Sequence, residues 1–79
     1  MNTVTFYHAG CPVCLTAEQQ MLNALDDQRY AIEVVHLGEN ISRINEARQA
    51  GVRSVPALVM DGQAFHINFG AALADLQQE

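Results

Sequence analysis

The sequence contains no lysine and no tryptophan, and four arginines are set against nine acidic residues. The formal net charge is −5 at pH 7, with no basic patch. Such a chain lacks the cationic surface that attracts phosphate groups, which argues against nucleic acid and anionic membranes as partners. No apolar run approaches the roughly 20 residues of a membrane-spanning helix. Because residues 1–10 show no basic segment followed by an apolar stretch, no secretory signal is predicted, and we expect a cytoplasmic protein.

Cysteine and proline are scarce as well, with two of each. Both cysteines fall within Cys11-Pro12-Val13-Cys14. Cytoplasmic thiols are kept reduced, and a cysteine pair there is more often catalytic or metal-binding than a structural cross-link. A disulfide across so short a ring would constrain the unfolded chain by only about 2 kcal/mol, which favours a reactive role over a structural one.

The length of 79 residues and the 49% of apolar residues predict one globular domain spanning residues 1–79. Alternation and β-branched content predict four strands, and apolar residues at helical spacing predict three helices. The strands are expected at 3–8, 30–37, 56–60 and 63–69, and the helices at 12–26, 41–50 and 71–78. The resulting order is β-α-β-α-β-β-α, with a right-handed parallel β-α-β unit first and a hairpin through Asp61-Gly62 later.

This order places the cysteines between the first strand and the first helix, at the sheet edge where sites gather in α/β folds. If Cys11 caps the helix, the unpaired N–H groups of the first turn stabilise its thiolate, the attacking species in disulfide exchange. Cys14, one turn further in, is expected to be more buried and to act as the resolving thiol. His8 either stabilises the Cys11 thiolate or is an ordinary histidine at a strand end.

Two other interpretations of the cysteines stay open at this point. They could be small buried apolar side chains. They could also be metal ligands, since His8 lies three residues before Cys11, and His36 and His66 are further candidates. Structural zinc takes four ligands, however, and the sequence supplies only two cysteines. The composition therefore predicts no metal within one chain.

Together with Ser54-Val55-Pro56 and Gly70, the Cys-Pro-Val-Cys motif resembles the thioredoxin/glutaredoxin superfamily over nearly the whole chain. The resemblance implies an α/β fold of minimal thioredoxin type, with a four-stranded mixed sheet of order 2-1-3-4 and helices on both faces. It also implies a cis Val55–Pro56 bond facing the cysteines, a Val55 backbone that pairs with an extended substrate, and a Gly70 that keeps the groove beside Cys11 open. Pro12 and Val13 would adjoin the substrate.

The implied function is a thiol-disulfide oxidoreductase that reduces or exchanges protein or glutathione-mixed disulfides through Cys11 and Cys14. It would need no cofactor and would draw on an unidentified electron donor, for which glutathione is one candidate. Cys-Pro-X-Cys looks like glutaredoxins, whereas Gly70-Ala71 looks more like thioredoxin. The alternative function is a non-catalytic thioredoxin-fold module that holds a metal, an iron–sulfur cluster or a protein partner.

The remaining apolar residues are expected to form the core and one strand face. In the strand at 30–37, apolar residues occur at both odd and even positions, so both faces of the strand are expected to be covered by other parts of the protein. The expected sheet core is Phe6, Ile32, Val34, Leu58 and Val59. In the last strand Phe65, Ile67 and Phe69 share one face, and Ala64 and His66 the other. This strand lies at an edge of the predicted sheet, so the protein is expected to be a monomer or a homodimer formed through it.

Overall fold

A computed structural model describes residues 2–25 and 28–73. These described residues form four strands, two helices and one short 3₁₀ turn. In chain order these are β1 (Asn2–His8), α1 (Pro12–Ala24), β2 (Tyr30–His36), the 3₁₀ turn (Ile41–Arg43), α2 (Ile44–Gln49), β3 (Ser54–Met60) and β4 (Gln63–Ala72). The single helix expected at 41–50 is thus a 3₁₀ turn that runs into a short α-helix.

The strands form one mixed sheet of order β2-β1-β3-β4, which confirms the predicted topology. β1 and β2 are parallel, with His8 opposite His36 at their carboxyl ends. β1 and β3 are antiparallel, as are β3 and β4. The predicted hairpin turn is present at Asp61 and Gly62, where both φ angles are positive, at 54° and 75°. Two left-handed residues in succession give the turn a twist that matches the flanking strands.

The two helices pack on opposite faces of the sheet, as predicted. Cys14, Ala17 and Met21 recur along one side of α1 and are buried. Ala17 and Met21 pack against Phe6, with Ile32 and Leu58 at the margin. On the other face, Ile44 and Ala47 of α2 join Tyr7, Val35 and Ala57 in a second apolar cluster. Because successive residues of a strand point to opposite faces, Phe6 and Tyr7 belong to different clusters.

A polar network fastens α2 to the sheet. The Tyr7 hydroxyl donates to Glu46 Oε2 at 2.6 Å, and Arg43 forms ion pairs with Glu46 at 2.7 Å and Glu33 at 2.9 Å. Burial, and then the hydrogen bond to Glu46, raises the pKa of Tyr7, so its hydroxyl stays protonated and acts as a donor. The network connects β1, β2 and the start of α2.

The prediction that the second strand is covered on both faces was wrong. Val34 is 41% exposed, and Ala31 is exposed too. β2 is an edge strand, and α1 lies mainly over β1, β3 and β4. Only Ile32 of β2 reaches the cluster beneath α1, whereas Val35 is buried under α2.

β4 extends further than the sequence predicts. Residues 71–72, expected to open a helix, continue the strand because Ala71 pairs with Val55 and Ala72 with Ser54. Of the rest of the predicted helix, Leu73 is described and buried, and residues 74–78 lie outside the described residues. Between the Ala57–His66 and Val55–Ala71 pairs the register shifts, since two positions along β3 match five along β4. This bulge carries β4 around Pro56 and towards the cysteines.

In the part of the chain described here, no helix is long and apolar enough to cross a membrane.

Candidate active site

The candidate site begins where β1 ends and α1 starts. Cys11 is the N-cap of α1, with an extended backbone (φ −72°, ψ 161°), and Pro12 is the first helical residue. Proline suits this position because the N–H it lacks would have no partner inside the helix. Cys11 Sγ accepts the backbone N–H of Cys14 at 3.1 Å. The first turn therefore directs an N–H donor and the positive end of the helix dipole at the Cys11 sulfur.

The two cysteines are free thiols in different environments. Cys11 is partly exposed, whereas Cys14 is buried. Cys14 shares a cluster with Val55 and Leu73. Burial is the main cause that raises the pKa of Cys14, and its hydrogen bond to Cys11 adds to the effect. Cys14 is therefore held as a neutral thiol, and Cys11 is the more exposed of the two residues.

The start of β3 and the end of β4 meet at this pair. The Val55–Pro56 peptide bond is cis, as the resemblance implied. Val55 and Pro56 are both fully buried. At Gly70, a Cβ atom would overlap Cys11 Sγ and would lie 3.0 Å from the Val55 carbonyl oxygen and 3.4 Å from Cys14 Sγ. The β4 bulge thus brings a residue without a side chain against both sulfurs.

A groove of about 290 Å³ opens beside the cysteines, between α1 and β4. Its walls are uncharged, and they are formed by Pro12, Val13, Thr16, Ala17, Gln20 and Ile67. Of these residues, Pro12 and Val13 were predicted to adjoin the substrate, whereas Thr16, Ala17, Gln20 and Ile67 were not. Ile67, at 40% exposed, and Phe65, at 48%, extend the apolar surface along β4.

His8 lies on the α1 side of the sheet and is 6% exposed. Its Nδ1 accepts the N–H of Gly10 at 3.1 Å, and its ring packs against those of Phe6 and His36. Burial, and then the neighbouring His36, lowers the pKa of His8 despite the opposing charges of Glu18 and Glu39. The contacts that place its ring involve the loop before Cys11 rather than either sulfur. Its role as a modulator of the thiolate stays a prediction.

Metal binding is a possibility that the sequence raises because three histidines accompany the cysteines. Within residues 2–25 and 28–73, no group of three His, Cys, Asp or Glu side chains is placed to hold one metal ion. His66 accepts the N–H of Arg53 at 3.1 Å, which occupies one of its two ring nitrogens. The sequence suggested His36 only as a possible metal ligand. In the structure its ring packs on that of His8, with ring centroids 4.7 Å apart.

The arrangement of an exposed capping cysteine, a buried partner and a neighbouring cis proline can be compared with known proteins. Residues 2–71 match the model of the thioredoxin domain. The chain belongs to the thioredoxin-domain family. Recognition of the superfamily from Cys11-Pro12-Val13-Cys14, Pro56 and Gly70 is confirmed, and so is the fold class that it implied.

Two relatives of this thioredoxin-domain chain place it among small bacterial proteins. Its fold matches the solution structure of the dimeric thioredoxin-like protein NE0084 from Nitrosomonas europea with a TM-score of 0.91. The sequences are 59% identical, and the match covers 99% of this chain and 98% of that one. The chain is also 37% identical over 60 residues to an uncharacterized 9.0 kDa protein in the mobE 3′ region of Acidithiobacillus ferrooxidans, covering 76% of this chain and 68% of that protein.

Proposed function

We propose that this thioredoxin-domain protein is a cytoplasmic thiol-disulfide oxidoreductase that uses Cys11 and Cys14 as a dithiol–disulfide pair. One observation carries the proposal: the partly exposed Cys11 Sγ accepts the Cys14 N–H at 3.1 Å, while the Cys14 side chain is buried. An exposed sulfur at a helix N-terminus is suited to attack, and a buried neutral thiol beside it is suited to resolve the product. No cofactor takes part in this chemistry.

In the proposed reaction, the Cys11 thiolate attacks one sulfur of a substrate disulfide. A Cys11–substrate disulfide forms, and the second substrate sulfur leaves as a thiolate. Cys14 then loses its proton, attacks Cys11 Sγ and expels the first substrate sulfur, so that a Cys11–Cys14 disulfide remains. Two electrons pass to the substrate, whose sulfurs take up protons and leave as thiols. An external thiol donor, glutathione or a dithiol protein, returns the pair to its reduced form.

The surroundings of Cys11 favour an extended protein segment as the substrate. The groove between α1 and β4 is uncharged, and four of its six lining residues are apolar. Gly70 leaves the approach to the sulfur clear. We propose that the substrate reaches Cys11 past Gly70 and that an apolar side chain enters the groove beside Val13. Pairing of the substrate backbone with Val55 would require this residue, which is fully buried, to become exposed on binding. Main-chain pairing gives affinity in this mode of recognition, and the groove gives specificity.

Trapping tests the proposed activity directly. In Cys14→Ser, the Cys11–substrate disulfide cannot be resolved, so protein partners should be held on Cys11 and identified by mass spectrometry. Cys11→Ser is the matched control and should trap none. The wild-type pair should also equilibrate reversibly with a glutathione redox buffer. A pair that never interconverts with a disulfide would refute the proposal, and an iron or zinc content near one per chain would favour the binding-module alternative.

We also propose that the protein forms a homodimer through the β4 face. The relative at 59% identity is described as dimeric. With a net charge of −5, two copies repel each other except where the meeting surfaces carry no charge. Phe65, which is 48% exposed and lies outside the groove lining, provides such a surface on the edge strand β4. The other apolar patch on α1, around Leu15 and Leu22, includes the charged Glu18.

Light scattering during size-exclusion chromatography tests the dimer. Wild type should elute with twice the chain mass of 8.7 kDa, and Phe65→Glu should elute as a monomer because the substitution places like charges across the two-fold axis. Ile41→Glu alters an apolar residue that is 61% exposed in the 3₁₀ turn, and it should stay dimeric. A wild-type mass of 8.7 kDa, or a dimeric Phe65→Glu, would rule out this interface.

A further inference from the structure

We propose that His36 is a positioning residue for Cys11: its imidazole, packed on His8, holds the loop 9–11 that carries the attacking cysteine against the loop 37–40. The inference rests on the proposed function because it concerns how the same thiolate is kept in place. His36 itself contacts the loop rather than the reacting sulfur.

The hydrogen bonds of the two imidazoles connect the rings to both loops. Gly10 donates its N–H to His8 Nδ1 at 3.1 Å, and Glu39 donates its N–H to His36 Nδ1 at 3.3 Å. A nitrogen that accepts an N–H carries no proton of its own. Nδ1 of each ring is thus an acceptor here, and the Glu39 N–H is shared with the His36 carbonyl oxygen at 3.1 Å. The backbone adds a direct link, since Leu37 donates to the His8 carbonyl at 2.7 Å.

The space around His36 shows how closely its ring fits between the loops. A Cβ atom at Gly10 would lie 2.6 Å from His36 Nε2, and one at Gly38 would lie 2.8 Å from His36 Cε1. Contacts of that length do not occur without displacement, so the ring fills the volume that side chains at both positions would need. Gly10 also has a φ of 78°, a conformation that favours glycine. The two glycines thus admit the imidazole into the junction.

The junction matters to Cys11 because Gly10 is the residue immediately before it. Cys11 Sγ accepts the Cys14 N–H only while the Cys11 backbone keeps its extended capping conformation. If the loop 9–11 becomes free to move, that conformation is lost for part of the time, and the thiolate loses its donor. The histidine pair therefore acts on the sulfur through the backbone.

The first test measures the alkylation of Cys11 by iodoacetamide against pH, in a Cys14→Ser background so that one thiol reacts. We expect His36→Ala to raise the midpoint pH and to slow alkylation at pH 7 roughly tenfold, which is what a displacement of one pH unit produces. His66→Ala is the matched control, because His66 also accepts a backbone N–H but lies on β4. It should leave the profile unchanged.

A second variant separates positioning from simple filling of space. His36→Phe keeps an aromatic ring in the junction but cannot accept the Glu39 N–H. We expect its alkylation profile to resemble that of His36→Ala. The inference is overturned if His36→Ala alkylates like the parent protein, if His36→Phe restores the parent profile, or if His66→Ala slows alkylation as much as His36→Ala.

A double-mutant cycle tests the packing without any redox chemistry. Gly38→Ala should destabilise the wild-type protein in urea unfolding, because its methyl group meets the His36 ring, and it should have little effect in His36→Ala. Equal effects in both backgrounds would refute the contact. If the wild-type cysteines fail to form a reversible couple but this coupling is observed, the proposed function fails while the junction stands.

Discussion

Replacing Gly70 by alanine tests whether the substrate reaches Cys11 through the space that the absent side chain of Gly70 leaves open. A Cβ atom there would overlap Cys11 Sγ and would lie 3.0 Å from the Val55 carbonyl oxygen, tighter than an ordinary contact. Its φ lies outside the range that disfavours side chains, so the effect is steric. β4 and the Cys11 loop must move apart by about 1 Å, a displacement that is enough to slow a reaction about 100-fold.

The same overlap affects the folded state. Adding a methyl group to a well-packed region destabilises a protein by about 1–3 kcal/mol. Since 1 kcal/mol lowers the melting temperature of a domain of this size by roughly 4–8 °C, Gly70→Ala should remain folded at 25 °C. The assay is reduction of a protein disulfide by the fully reduced variant under single-turnover conditions, with thermal unfolding measured on the same sample.

Gly62→Ala is the matched control for this experiment. Gly62 has a φ of 75°, and no atom lies within 4 Å of the position that an alanine methyl group would take. Alanine there should therefore reduce stability by about 1–2 kcal/mol through backbone strain alone, with the wild-type reduction rate preserved. The steric reasoning is refuted if Gly70→Ala reduces substrate at the wild-type rate, or if Gly62→Ala is slowed to the same extent.

Four further outcomes follow from the described contacts. Tyr7→Phe should destabilise the fold by about 1 kcal/mol in urea unfolding, because the lost hydrogen bond ends on an exposed Glu46. Met21→Ala, which empties the space between α1 and Phe6, should remove about 2–5 kcal/mol in the same assay. Burial lowers the pKa of His8 from 6.5, so its contribution to stability is complete above that pH and is lost as the pH falls towards the lowered value. The free energy of unfolding in urea should therefore decline between about pH 7.5 and 5. The decline should be smaller in His8→Gln. Val13→Glu should raise the KM for an apolar peptide disulfide more than it lowers kcat, because it places a charge in the groove wall.

Local patterns were sufficient to predict the existence of the four strands, the first helix and the position of the cysteines at its start. The helix start at Pro12 and the turn at Asp61-Gly62 each depend on neighbouring residues alone, and both are present. The sheet order and the cis bond before Pro56 came with the family resemblance rather than with periodicity. The assignment of Cys11 as the exposed sulfur followed from its position before a helix, and the burial of Cys14 agrees with it.

The features that were missed depend on distances that no local pattern contains. The strand around Val34 has the apolar composition of one that is covered on both faces. Val34 is nevertheless exposed, because α1 lies over the other strands. The length of β4 depends on a register shift opposite Pro56, which alternation cannot reveal. His36 gains its place from Gly10 and Gly38, which only the fold brings to its ring. In each case the sequence gives the residue type, but contacts between residues that are far apart in the chain decide its role.

The distribution of the site along the chain has a consequence for the protein before it has folded. Cys11 follows β1, whereas Pro56 and Gly70 belong to β3 and β4, and the entropy cost of loop closure slows the formation of contacts across such separations. An unfolded chain has no helix end to stabilise the Cys11 thiolate. A nascent or damaged molecule would therefore carry ordinary, slower thiols, and fast disulfide exchange would be confined to molecules in which β4 has closed against α1.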